Sequence, residues 1–218
     1  MTEIEIKLDP VFSSPVASIK ADINIKKILK IAEKEKYNVA GRKDSFKNHV
    51  SQSNNMIILD KKIFKNEKKT MENYINYYCK NVLKYVNKLK LTTSWFTKAE
   101  YNQTSDPHDH SNSFLSAVLY LKTTKGCGGI VFKNFRIPSY IYMSRSEYNI
   151  WNADAWTIIP DDGLLLIFPS YLHHKILPGQ NSEPRYSLAM NFFPIGKIGY
   201  NESDSFINIK DVDGNYND

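Results

Sequence analysis

Residues 107–121 read PHDHSNSFLSAVLYL, so two histidines and an aspartate come just before an apolar run. The apolar and aromatic residues of 114–121 are typical of a short buried strand. Similar segments, punctuated by Gly and Pro, follow Lys90: LTTSWFTKAEY, GGIVFKNF, AWTIIP, GLLLIFP and RYSLAMNFFPI. Short strands in this number predict an antiparallel barrel or double sheet.

The residues before Lys90 follow a different pattern. Apolar residues keep helical spacing over 22–35 and again over 66–89, which predicts two helices that pack on one face of the sheet. Residues 3–8 alternate like a strand, and 38–56 are polar enough to predict a long loop. We interpret His49, within that loop, as an ordinary surface histidine.

The whole chain, 1–218, is expected to be a single domain. Within it, 1–90 supply an N-terminal strand and supporting helices, 91–196 the β core, and 197–218 a polar, loose tail.

Composition excludes several classes of protein. Two cysteines are too few for a disulfide framework or a cysteine-based zinc site, and they fit a reducing cytoplasm (that of the host, if the gene is viral). No apolar stretch is long enough to span a membrane, and the first residues do not resemble a signal peptide. The net charge of +6 comes mostly from lysines at helical spacing. Without an arginine-rich run or a DNA-reading motif, this charge does not favour nucleic acid as a partner.

The chain has five histidines, and four of them form two close pairs. In an extended segment His108 and His110 lie on the same face, so both imidazoles can bind the same metal ion. Neutral imidazole suits iron, copper, nickel and zinc. The second pair, His173 and His174, follows the apolar run 164–168 and can supply a third ligand.

Arg185 is one of only four arginines and opens an apolar strand. A guanidinium beside a core needs an anionic partner, and a carboxylate bound through both oxygens is its natural match. By the two-residue period of a strand, Arg185 shares its face with Ser187, Ala189 and Asn191. Asn191 is therefore a candidate to reach a ligand held by Arg185.

The motifs HDH, VLYL, GCGGIVF, PSYLHH and RYSLAMNFF, in this order, resemble those of the non-haem iron(II), 2-oxoglutarate-dependent oxygenases. Within that superfamily they are similar to the prolyl-hydroxylase-like branch, and to a group frequent in bacteriophage genomes. The resemblance covers roughly 94–194. It implies an α+β fold: a double-stranded β-helix, that is, a jelly-roll or cupin-like barrel, with N-terminal helices packed on one sheet.

The resemblance also implies roles for individual residues. His108 and His174 match the first and distal iron ligands, which leaves His173 outside the ligand set. Arg185 and Tyr120 match the residues that bind the distal carboxylate of 2-oxoglutarate. Gly128 and Gly129 match a turn with a backbone role, and 136–156 form an insertion suited to a lid or substrate loop.

Position 110 departs from the family pattern, which has a carboxylate there. Alternation favours His108 and His110 as ligands, with Asp109 facing away. Two alternatives stay open: a turn at Pro107 could aim Asp109 inward, or Asp106 could pair with His108.

The implied function is an oxygenase that uses iron(II), 2-oxoglutarate and O2, with ascorbate as an optional reductant, to hydroxylate an unknown protein, peptide or small-molecule substrate. Two other functions remain open. One is a cupin-like metalloenzyme that does not use 2-oxoglutarate, and the other is a non-catalytic β-barrel that binds a ligand or belongs to a virion.

Overall fold

The computed structural model describes residues 5–40, 48–134, 143–200 and 203–210. These residues form two α-helices and eleven strands, and none of the described helices is long and apolar enough to cross a membrane. Their bounds are β1 Ala17–Lys20, α1 Ile25–Ala32, β2 Tyr37–Val39, β3 Ser51–Ser53, α2 Lys65–Tyr77, β4 Lys88–Ala99, β5 Leu115–Lys122, β6 Ile130–Lys133, β7 Ala155–Ile158, β8 Leu164–Pro169, β9 His174–Ile176, β10 Arg185–Ile198 and β11 Ile207–Ile209.

The strands form two antiparallel sheets. The large sheet has the order β1-β8-β5-β10-β4-β3-β2, with β11 paired to β10, and the small sheet has the order β7-β6-β9. The named strands of one sheet do not pair with those of the other. Instead, the irregular segment 104–108 pairs with 48–50 on one side and with β9 on the other. This segment therefore joins the sheets at the end where the histidines lie.

The large sheet buries both of its faces, as the alternation along β5 shows. Leu115, Ala117, Leu119 and Leu121 belong to the core that packs against α1 and α2. Tyr120 belongs to a second core between the two sheets, with Ile130, Phe132, Leu166 and Phe168. Helices on one face and a small sheet on the other agree with the sequence prediction, although no closed barrel is seen in the strand pairing.

The predicted helix over 66–89 ends early. Helix α2 stops at Tyr77, a π-helical turn spans Tyr78–Val82, and β4 already begins at Lys88. Val82, Tyr85 and Val86 are exposed, so they do not extend the apolar stripe. The Asn76 amide donates to the backbone oxygen of Leu89 at 2.9 Å and accepts from its backbone nitrogen at 2.8 Å, which fixes β4 against the helix.

Three predictions outside the β core are wrong at least in part. Residues 5–8 are exposed and form no strand, while 3–4 lie outside the described residues. The first strand is β1, which pairs with β8. The region expected to be a loop contains β2 and β3, and the tail contains β11. Each of these elements has three or four residues, too few for a hydrophobic period to show.

Candidate metal centre

Three histidines meet where segment 104–108 crosses β9. His108 pairs with His174, each donating its backbone N–H to the other's carbonyl at 2.9 Å. His110 follows two residues later, and its ring lies 5.3 Å from that of His108 and 5.1 Å from that of His174, between centroids. One ring nitrogen from each of the three lies within 4.8 Å of the other two. Asp109 is exposed.

The Nδ1 atom of each of these rings is held by a hydrogen bond. His108 donates from Nδ1 to the carbonyl of Asp106 at 2.8 Å, and His174 does the same to the carbonyl of Leu172 at 2.7 Å. The Nδ1 atom of His110 instead lies 2.6 Å from the side-chain oxygen of Asn191. Because Nδ1 carries the proton in each case, Nε2 is the nitrogen with a free lone pair for a metal.

A network of side-chain hydrogen bonds surrounds His110, the third histidine. Ser116 lies with its hydroxyl 2.9 Å from Nδ1 of His110 and donates to the Asn191 side-chain oxygen at 3.0 Å. Its hydroxyl also lies 2.8 Å from that of Ser170, which donates to Ser113 at 2.8 Å. Side chains alone orient His110, whereas main-chain carbonyls orient the other two histidines.

Burial disfavours the protonated form of two of the imidazoles, those of His110 and His174. It lowers the pKa of His174 to about 3, with His108 and His110 acting in the same direction. The pKa of His110 is also lowered, mainly by burial, although its hydrogen bond to Asn191 opposes the shift. Neutral rings can bind a metal near pH 7 without first losing a proton.

The lowered pKa of His174 predicts a pH dependence of stability in the metal-free protein. An unfolded histidine titrates near pH 6.5, whereas the folded one titrates near pH 3. Between these values the unfolded chain binds a proton that the native state does not, so stability falls as the pH falls below about 6.5. The contribution of His174 approaches ~1.4 kcal/mol per pH unit. Denaturant unfolding at pH 7 and pH 5 measures the change in the free energy of unfolding. Between these pH values His174→Gln should lose less stability than the wild type, and equal losses would contradict the prediction.

A cavity of about 300 Å³, here called the central cavity, connects the histidines with Arg185. Arg185 has only 2% of its surface exposed. Its Nη1 donates to the carbonyl of Gly128 at 2.7 Å, while its buried Nε has no hydrogen-bond partner in the part of the chain that the structure describes. The cavity is lined by the three histidines and by Ala40, His49, Val50, Gln52, Trp95, Thr97, Ser105, Asp106, Val118, Tyr120, Ile130, Ile176, Arg185, Ser187 and Ala189.

Arg185 has no carboxylate partner among the ion pairs of the described residues. Because burying a guanidinium without a counter-charge is costly, this position is suited to an anionic ligand. The ring of Tyr120 lies 5.6 Å from the guanidinium carbon. Burial raises the pKa of Tyr120 to about 12, so its hydroxyl stays protonated and can donate to such a ligand.

Gly128, whose carbonyl accepts from Arg185, also permits the close approach of Leu177, because a Cβ at this position would lie 1.7 Å from the Leu177 carbonyl oxygen. We expect Gly128→Ala to destabilise the fold by about 1–3 kcal/mol, as overpacking does. Gly196→Ala is the control: open space surrounds its added Cβ, and only its φ of +83° is unfavourable. In denaturant unfolding, Gly128→Ala should have a much lower free energy of unfolding than Gly196→Ala. The reverse order would contradict the clash.

The structure brings His108, His110, His174, Tyr120 and Arg185 to one cavity. Asn191 lies on the predicted face of β10, but its side-chain oxygen contacts His110. The two alternative carboxylates are both exposed, and Asp106 places one oxygen 3.2 Å from Nε2 of His49. The ligand set itself stays a prediction.

The interpretation of His49 as a surface residue is wrong, because it is 3% exposed and lines the central cavity. Trp95, in the segment SWF that the sequence indicates as an apolar wall, lines the cavity, and Thr97 is a further wall residue that the sequence analysis does not select. Both lie on β4, where Thr97 is paired with Ser187. Two-residue alternation along β4 could have selected Thr97, but nothing in the sequence around His49 indicates burial.

The insertion proposed as a lid is described only from Met143 onward, and 136–142 lie outside the described residues. In the described part, Arg145 lies over the ring of Tyr148 at 5.2 Å, and the hydroxyl of Tyr148 donates to Asp154. These contacts are local to the insertion, and its role as a lid stays a prediction.

Fold and site together give a double-sheet protein in which three histidines that could hold a metal ion and a buried arginine line the same cavity. Residues 93–191 match the model of the family described as "Putative 2OG-Fe(II) oxygenase". This match confirms the resemblance to the iron(II), 2-oxoglutarate-dependent oxygenases. No curated protein matches the chain in sequence.

Solved structures share the fold at low sequence identity. A Pseudomonas putida prolyl-4-hydroxylase has 14% identity and a TM-score of 0.58, covering 84% of this chain and 95% of its own. A Trichoplax adhaerens prolyl hydroxylase, in complex with a hypoxia inducible factor peptide fragment, has 14% identity and a TM-score of 0.56, covering 82% and 83%. HygX from Streptomyces hygroscopicus, with nickel, 2-oxoglutarate and hygromycin B bound, has 10% identity and a TM-score of 0.57, covering 83% of both chains.

The support that Asn191 gives His110 leads to a prediction. Removing a partner that orients a metal-binding histidine typically costs about 10–100-fold in metal affinity. We expect Asn191→Ala to weaken metal binding by that factor, and Asn191→Asp, which keeps the acceptor oxygen, to weaken it less. Competition titrations with a chelator measure both affinities. Unchanged affinity in Asn191→Ala would show that His110 does not need this support.

Proposed function

We propose that the protein is an iron(II)- and 2-oxoglutarate-dependent oxygenase that hydroxylates its substrate. His108, His110 and His174 hold the metal ion, and Arg185 and Tyr120 hold the distal carboxylate of 2-oxoglutarate. The observation that carries the proposal is the buried Arg185, whose Nε has no partner, in the same cavity as the three histidines. A metalloenzyme that does not use 2-oxoglutarate would leave this guanidinium without an anion.

The donor set fits the proposed metal. Three neutral imidazole nitrogens are suitable ligands for iron(II), and they leave coordination positions for two oxygens of 2-oxoglutarate and for O2. The site lacks the carboxylate of the usual two-histidine, one-carboxylate triad and is therefore more positive by one charge. The dianionic cosubstrate compensates that charge when it binds. Bound iron(II) and 2-oxoglutarate supply the oxidation of a C–H bond by O2, with succinate and CO2 as co-products.

The protein's own residues bind and orient the cosubstrate, and they exclude water from the site. Arg185 presents a planar fork that matches a carboxylate, and the protonated hydroxyl of Tyr120 adds a donor. Val118, Ile130 and Ala189 line the same cavity with apolar surface. Apolar walls keep the surroundings of the metal dry, which strengthens each charged contact within the site.

The substrate class is either a protein side chain or a small molecule. Two of the proteins that share the fold are prolyl hydroxylases, one of them in complex with a peptide, and another was crystallised with hygromycin B. Both classes are thus compatible with this architecture.

Succinate formation tests the proposal without a known substrate. We expect protein supplied with iron(II), 2-oxoglutarate and O2, with ascorbate as reductant, to release succinate slowly. His174→Ala protein at the same concentration should release none. A wild-type protein that binds both iron and 2-oxoglutarate but forms no succinate above the level of His174→Ala would contradict an oxygenase function.

A further inference from the structure

His49 is a buried histidine outside the proposed ligand set. Its Nδ1 lies 2.9 Å from the carbonyl oxygen of Ala40, and its Nε2 lies 3.2 Å from a carboxylate oxygen of Asp106. Its main chain pairs with Thr104 in an isolated parallel bridge. The residue therefore ties β2, segment 104–108 and the wall of the central cavity together.

Asp106 connects His49 with the metal centre. One carboxylate oxygen of Asp106 contacts His49, and its main-chain carbonyl accepts the Nδ1 proton of His108. That carbonyl is the only partner that the structure gives to Nδ1 of His108 within the described residues. A change in the backbone torsions of Asp106 would move the acceptor that orients the His108 ring.

The same segment is anchored on its other side to the strand of the distal histidine. Thr104 donates from its hydroxyl to the carbonyl of Ile176 at 2.6 Å, and the hydroxyl of Ser105 accepts from the Ile176 N–H at 2.9 Å. With β9 on one side and His49 on the other, Asp106 has contacts that fix both its backbone and its side chain.

Both contacts of His49 are with oxygen atoms, the carbonyl oxygen of Ala40 and a carboxylate oxygen of Asp106. The contact of Nε2 holds the Asp106 side chain, and a hydrogen bond to a carboxylate is stronger than one between two neutral groups.

We propose that His49 is a positioning residue for the metal centre, acting on His108 through Asp106. The proposal rests on the proposed function only in requiring His108 to be a ligand. The Asp106 carboxylate is engaged by His49, so in this proposal Asp106 supports the site instead of ligating the metal.

A matched pair of variants separates this role from a general role in folding. His49→Gln can place an amide N–H near the position of Nε2 and still donate to Asp106. His49→Asn can place its N–H only near the position of Nδ1, toward Ala40, and leaves Asp106 without a donor. The two changes remove the same ring and differ in the contact that the proposal requires.

Cobalt(II) is the probe, because its visible absorption reports ligand geometry without any turnover. We expect wild-type protein to bind one cobalt ion and His108→Ala to bind none. His49→Asn should bind cobalt about 10–100-fold more weakly, the usual effect of removing a partner of a ligand, with an altered spectrum. His49→Gln should restore most of the affinity and the wild-type spectrum.

Two outcomes would overturn the positioning role while leaving the metal site intact. One is wild-type affinity and spectrum in both His49 variants. The other is an equal loss in both, with equal unfolding midpoints of the metal-free proteins. If the wild type binds no cobalt, the proposed metal site fails, and the inference fails with it. Loss of cobalt in Asp106→Ala as complete as in His108→Ala would make Asp106 a ligand and would also overturn the proposal.

Discussion

Replacing His108 or His174 by alanine is expected to abolish stoichiometric binding of iron(II), and also of nickel, manganese or zinc in its place. Each change removes one of three nitrogens that lie within 4.8 Å of one another. The loss should exceed the ~10–100-fold effect of removing an orienting partner. Metal analysis of the purified variants measures the outcome, and unchanged metal content in both would contradict the site.

The neighbouring positions provide controls within the same loop. We expect His110→Ala to lose the metal as well, whereas Asp109→Ala and Asp106→Ala keep it, Asp106→Ala with weakened affinity. Asp109 is exposed, and the Asp106 carboxylate contacts His49. Metal-replete His110→Ala beside metal-free Asp109→Ala would show that the aspartate is the ligand.

Arg185→Ala is expected to weaken 2-oxoglutarate binding severely while the metal stays bound. Truncating one partner of a buried charge pair typically costs about 2–5 kcal/mol, because the other charge is left unpaired. This corresponds to a rise of about 30-fold to several thousand-fold in the dissociation constant. Calorimetric titration of the metal-loaded protein with 2-oxoglutarate measures the effect.

Arg185→Lys is the matched variant, because it keeps the charge and removes the planar fork. We expect it to recover only part of the affinity, since an ammonium cannot bind both carboxylate oxygens in the same way. Equal affinities for wild type and Arg185→Ala would instead leave the guanidinium with a structural role, through its bond to the Gly128 carbonyl.

The parts of the fold that the sequence predicts are those with enough residues to show a period. Strand β5 is a mostly apolar run of eight residues, and α1 keeps one apolar face over the same length. The end of α2 is not predictable in this way. Val82, Tyr85 and Val86 continue the helical spacing, but the contacts between Asn76 and Leu89 start a strand there, and these depend on tertiary structure.

In the candidate site, too, the sequence predicts only the residues that follow a regular pattern. Strand alternation and the position of Arg185 at the start of a strand place His108, His110 and Arg185 on the inner face. The burial of His49 is not predictable, because it comes from pairing with Thr104, which is 55 residues away in sequence. The contact of Asn191 with His110 likewise depends on the path of the loop before β5, which no periodicity describes.

Anaerobic titration with iron(II) and 2-oxoglutarate tests the central proposal most directly. When 2-oxoglutarate chelates iron(II) through two oxygens, a weak charge-transfer band develops in the visible range. We expect this band in wild-type protein only when both components are present, saturating at one equivalent of each, and absent from His174→Ala. No band in wild-type protein that demonstrably holds iron(II), at saturating 2-oxoglutarate, would contradict the proposal.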